Sequence, residues 1–167
     1  VTQVGDVVDQ GYWCKIEYKV FEQDQKGLRS NTTGSAFTDD SLTKYFYGNS
    51  LPSKIKSLVT EEYKDIPSIL VFVPGIGACN KLAASIPGAE SVHSKTKKIE
   101  RTRIVNGFKD GSIRVVVCPS LLSTGFDYPS LHMVIDAGPS MSISKVYQKW
   151  GRAVRPHPDK EHCTIVD

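Results

Sequence analysis

The chain has 167 residues, enough for one domain with a sizeable core, and its 40% apolar and 23% charged fractions are those of an ordinary globular protein. A formal charge of +3 permits a nucleic acid partner without requiring one. No apolar run approaches the ~18–20 residues with which a helix crosses a bilayer, and no signal-peptide pattern opens the chain, so no membrane partner and a cytoplasmic setting are expected.

Residues 1–20 read as a linker or arm from a preceding domain, with a strand-like alternation through Ile16, Tyr18 and Val20. Residues 21–167 read as the domain itself. The turn-rich stretch RSNTTGSAFTDD ends in acids that suit a helix start. SKIKSLVTEEY (53–63) is expected to be helical, with Ile55, Leu58, Val59 and Tyr63 turned inward. SILVFV (68–73) is a short β-branched run, as a buried parallel strand requires. A helix over 75–86 follows, then a strand over 89–94. Thr96 is placed to cap the next helix, which uses Ile99, Ile104, Val105 and Phe108 before a turn at Asp110-Gly111. IRVVVC (113–118) and HMVIDA (132–137) are strands, SISKVYQKWGR is the last helix, and HCTIVD (162–167) closes the chain. Strand and helix alternate over short connections, so the predicted class is α/β with a mainly parallel sheet flanked by helices in three layers. Such sheets bind ligands at the carboxyl ends of their strands, which directs attention to the loops after 73, 94, 118 and 137 and to residues 152–155.

Cys14, Cys79, Cys118 and Cys163 are scattered, which suits a reducing compartment better than a disulfide framework or a zinc ribbon. His157, His162 and Cys163 follow no metal-ligand spacing, so no metal site is expected. PGIGACN lacks the third glycine of a dinucleotide loop, and GxxxxGK[ST] is absent. STGFDYP (123–129) is more informative. Asp127 lies just past a sheet edge beside Gly125, where a carboxylate accepts from a ribose hydroxyl or caps its own turn. Gln148, Arg152 and Arg155 are spaced by four and three, one helical face, and Pro156 ends the helix near Arg155. Two arginine forks near one acid suit phosphate oxygens; cations near a helix C-terminus are the simpler explanation of the same residues.

The order ILVFV, VHS, Arg103 with Phe108 and Gly111, VVVCPSLLSTGFDYP, MVIDAGPS and YQKWGRAVR resembles motifs IV, V and VI of the second RecA-like domain of superfamily 2 helicases. The resemblance is strong over residues 66–167. It extends weakly over GDVVDQGYWC and LRSNTTG to phage and bacterial DNA-repair helicases. It implies the C-terminal half of an ATP-dependent DNA helicase or translocase, with ATP and Mg2+ held mainly by an N-terminal RecA-like domain in cis. Residue by residue, Asp127 and Gly125 correspond to the ribose-facing motif V loop. Arg152 and Arg155 correspond to the pair reaching the γ-phosphate, Arg155 being the arginine finger, and Gln148 links nucleotide and interdomain contacts. Pro74, Gly75, His93 and Ser94 are placed along the nucleic acid track. Pro119 stands where the family usually has a threonine that touches the nucleic acid backbone, which leaves Ser120 or Ser123 to supply a hydroxyl. Lys95, Lys97, Lys98, Arg101 and Arg103 form a basic cluster that serves either phosphate binding or solvation of a helix face. The competing reading is a RecA-like module that binds nucleic acid or a partner without catalysis.

Overall fold

The computed structural model describes residues 4–119 and 128–167. The helices are α1 (Val4–Asp9), α2 (Asp39–Gly48), α3 (Leu51–Ser57), α4 (Gly75–Ser85), α5 (Lys98–Lys109) and α6 (Ile143–Trp150). The strands are β1 (Lys15–Lys19), β2 (Ile69–Phe72), β3 (Ala89–Ser91), β4 (Val115–Cys118), β5 (Met133–Asp136) and β6 (His162–Val166). They form one sheet in the order β1-β6-β5-β2-β4-β3, and every pairing is parallel. The chain leaves β2 toward β4 and β3 on one side and returns to β5 and β6 on the other. The order therefore reverses at β2 and β5, where open sheets of this kind leave a crevice.

Strand periodicity divides the core into two. Ile69, Val71, Val115, Val117, Met133 and Ile135 pack with Phe46, Leu51, Ile55, Leu82 and Ala83 from α2, α3 and α4. The alternate residues Leu70, Phe72, Val116, Cys118 and Val134 pack with Ile104 and Phe108 of α5 and with Ala153 and Val154. Both faces of the central strands are thus covered, which is why their sequences read as continuous apolar runs.

Several boundaries differ from those expected. Within the stretch read as an arm, Lys15–Lys19 is hydrogen-bonded in register to His162–Val166, so this arm carries an edge strand of the sheet. The helix expected over 53–63 is shorter and passes into a π-helical turn at Leu58–Glu62. Arg114 explains the stability of that turn, donating to the carbonyls of Val59, Tyr63 and Ile66 at 2.9–3.3 Å. The strand expected over 89–94 ends at Ser91. Thr96 does not cap α5; its hydroxyl accepts from the His93 N–H at 3.0 Å, and Lys97 is the cap residue. Ile99, expected on the inner face, is 86% exposed. Thr38 does cap α2, ahead of Asp39 and Asp40.

Candidate functional site

The carboxyl ends of β2, β4 and β5 open onto a cleft of about 450 Å³. Pro74, Gly75, Pro119, Gly138 and Gln148 line it, together with Asp39 from the start of α2. Gly75 opens α4 with φ of 77°, a left-handed conformation that glycine adopts without strain, and Pro74 before it is the cap residue. Three of the sequence-predicted residues, Pro74, Gly75 and Gln148, therefore meet at one opening. Gln148 is exposed on α6.

Arg155 lies past the end of the last helix, as Pro156 led one to expect, but the helix ends earlier than expected and Arg152 is beyond it too. α6 ends at Trp150, with Gly151 as its last cap, so Arg152 and Arg155 lie on the turn beyond it. Ala153 and Val154, between them, are buried at 0% and 2% exposure. These two apolar side chains plug the turn into the core while the flanking arginines stay at the surface, Arg155 exposed and Arg152 half-buried. Neither arginine is among the described residues that line the cleft. The expectations for Gly125, Asp127, Ser120 and Ser123 fall outside the described residues.

His93 and Ser94 follow β3 at the other side of the sheet. The His93 Nε2 lies 3.2 Å from Asn80 Oδ1, which also accepts from Ser91 Oγ at 2.9 Å. Arg101 donates to the His93 carbonyl at 2.9 Å. Of the basic cluster, Arg103 is tied to Glu90 and Glu100, whereas Lys95, Lys97 and Lys98 are exposed. Two of the five cations thus fasten the structure, and three face solvent.

Sequence reasoning passed over Lys149. Its ammonium is buried with Asp136 at the end of β5, 2.5 Å from Oδ1, and donates to the Gly138 carbonyl at 2.9 Å. It also stands 5.7 Å from the Phe72 ring centre. Burial raises the Asp136 pKa, with Lys149 pulling against that rise. The pair joins α6 to the strand end beside Gln148. An acid inside the apolar run MVID was the available signal, since unpaired buried carboxylates are rare.

A cleft at a sheet switch point, where glycine and proline bring backbone to the opening, is where sheets of this kind bind ligands. Among the described residues no group of three or more His, Cys, Asp or Glu side chains could hold a metal ion. Residues 51–157, well over half of the chain, match the helicase conserved C-terminal domain. The chain belongs to that family. Its fold is that of RecA-like helicase C-terminal domains. The chain is similar to IRC3 of Saccharomyces cerevisiae, whose name places it among ATP-dependent helicases: 37% identity over 76 residues, 46% of this chain and 11% of that protein. Its fold is similar to a fragment named as an HsdR subunit of a type I restriction enzyme from Vibrio vulnificus YJ016, with TM-score 0.73, 17% identity and coverage of 97% of this chain and 33% of that one. It also resembles domain 2 of the DEAD-box helicase Mss116p bound to an RNA duplex, with TM-score 0.55, 20% identity and coverage of 70% and 47%. The chain spans only about a tenth of the length of IRC3. No helix of the described residues is long and apolar enough to cross a membrane.

Proposed function

We propose that this helicase domain works as one half of an ATP-dependent DNA helicase or translocase, completing an ATP site with arginines that it cannot use alone. The observation that carries the reading is the turn after α6. Ala153 and Val154 anchor it in the core, and Arg152 and Arg155 flank that anchor at the surface. Guanidinium forks match phosphoryl oxygens, and Arg155, the more exposed, is the arginine finger. ATP with Mg2+ would be held mainly by an N-terminal RecA-like domain joined in cis, and would supply the phosphoryl chemistry. Gln148 relays between that cleft and the domain interface, while Gly125 and Asp127 face the ribose. Pro74, Gly75, His93 and Ser94, with Ser120 and Ser123, follow the nucleic acid backbone. Lys95, Lys97 and Lys98 add sequence-independent attraction to phosphates.

The test is Arg155→Lys in the full-length protein. Lysine keeps the charge but loses the planar fork, so it cannot bridge two phosphoryl oxygens. DNA-stimulated turnover should fall on the order of 10²-fold or more, somewhat short of the whole finger effect of about 10³–10⁵. Binding of ATP and the melting temperature should hardly change. Normal kcat in this variant would remove Arg155 from the catalytic residues, and an RNA-dependent but DNA-independent turnover would reassign the substrate.

A further inference from the structure

Lys160 lies outside every motif that assigned the site, yet it is 5% exposed. Its ammonium donates to three backbone carbonyls: Pro129 at 2.8 Å, Leu131 at 3.0 Å and Ala153 at 2.6 Å. That uses all three donors of a lysine, and no carboxylate pairs with it among the described residues. Burial lowers its pKa accordingly. A buried cation without an ion partner is costly, and an apolar side chain would fill the space at less expense. What lysine adds is direction: three bonds, from one atom, to two separate segments.

Those segments are the ones the site depends on. Ala153 is the residue after Arg152, and Arg155 is two residues further on. The Ala153 carbonyl also lies 3.7 Å from Cys14 Sγ, and the Val154 carbonyl accepts the Cys14 N–H at 2.9 Å. The Pro129–Leu131 stretch is independently fixed. The Ser130 carbonyl accepts from Ser68 Oγ at 3.1 Å, and the Leu131 N–H donates to the Tyr128 carbonyl at 3.1 Å. Lys160 therefore ties the arginine-bearing turn to a stretch already held to β2 and to the start of β5.

We propose that Lys160 is a positioning residue, locking the Ala153–Val154 turn to the Pro129–Leu131 stretch so that Arg152 and Arg155 are presented in one fixed arrangement. The inference rests on the reading of those arginines as phosphoryl contacts. Reach across a domain interface demands such fixing, because a displacement of about 1 Å at a positioned group can lower turnover on the order of 10²-fold.

The test is made in the full-length protein. Lys160→Met keeps most of the side-chain volume and removes all three donors. Hydrogen exchange of the amides at 151–157 should quicken by about tenfold or more, while β2 and β4 keep their protection. DNA-stimulated ATP turnover should fall by about 10- to 10²-fold with KM for ATP nearly unchanged. Lys160→Arg, which keeps a charged multidonor head, should recover part of both losses. Ile86→Val, a destabilising change in the other core cluster, should leave both readouts alone. If Lys160→Met does not fold, Lys160→Gln carries the same comparison. Unchanged exchange at 151–157 in a folded variant overturns the proposal, as does quickened exchange with normal turnover. A wild-type protein without ATP turnover would instead count against the function proposed above, and the exchange at 151–157 would then decide the case of Lys160.

Discussion

Lys149 and Asp136 show how much a single pair can decide. Side-chain exposures of 8% and 3% take both charges out of water, and the Gly138 carbonyl supplies the ammonium with a second acceptor. Removing one partner of such a pair leaves the other buried and uncompensated, which costs about 3–5 kcal/mol. Lys149→Met should therefore lower stability by roughly that amount at neutral pH, read from denaturant or thermal unfolding. The sign of its pH dependence follows from Asp136. Burial already holds its pKa above the ordinary value of 3.8, and losing Lys149 removes an opposing influence. A carboxyl with a raised folded-state pKa contributes stability that is present below its unfolded value and lost as pH rises through the folded one. The deficit of Lys149→Met should thus be largest at neutral pH and shrink as pH falls toward 3.8. Adding Asp136→Asn should recover much of it. A deficit independent of pH would mean that Lys149 acts through packing alone.

Helix α6 ends at Trp150, with Gly151 as its C-cap residue. The Gly151 N–H donates to the Tyr147 carbonyl at 2.7 Å, and a β-carbon at residue 151 would come within 2.7 Å of that same oxygen. Its φ of −55° is open to any residue, so helix propensity alone would favour alanine by about 1 kcal/mol. The contact is with backbone, which cannot swing aside, and it outweighs that gain. Gly151→Ala should destabilise the domain by about 1–3 kcal/mol in a thermal melt. A stabilised variant would show that the helix end relaxes and that propensity wins. The tight ending matters because the chain turns there: Ala153 and Val154 dive into the core, and the arginines leave α6 for the turn. Spacing of four and three keeps Gln148 on α6, while Arg152 and Arg155 both lie on the turn beyond it.

At the scale of the whole molecule, the parallel sheet gathers the carboxyl ends of β2, β4 and β5 at one cleft, and the arginines lie on the turn after α6. The chain contains no GxxxxGK[ST] loop, and its described residues hold no carboxylate cluster for a metal. The 167-residue chain by itself is therefore expected to show no ATP turnover above background, with or without DNA. It should bind single-stranded DNA weakly, without sequence preference and with a steep loss as salt rises, because exposed lysines meet phosphates. ATPase assays on rigorously purified chain, beside anisotropy titrations at two salt concentrations, check both. Turnover that survives Arg152→Ala, or selective binding indifferent to salt, would contradict them. The α/β class and most of the central elements were legible in sequence, because period-2 and 3.6-residue patterns are local and burial on both faces writes itself as apolar runs. Gln148, Arg152 and Arg155 could be singled out by spacing and resemblance, and Pro74 and Gly75 by their place after a strand. Tertiary structure decided what depends on distant partners. Lys15–Lys19, strand-like in its alternation, joins the sheet only because His162–Val166 offers it a parallel edge. Ile99 lost its place in the core because α5 turns that side to solvent. Lys149 and Lys160 look in sequence like any solvated lysine. Only the fold brings a carboxylate to one and three carbonyls to the other, since a buried cation is defined by what surrounds it and not by its neighbours in the chain.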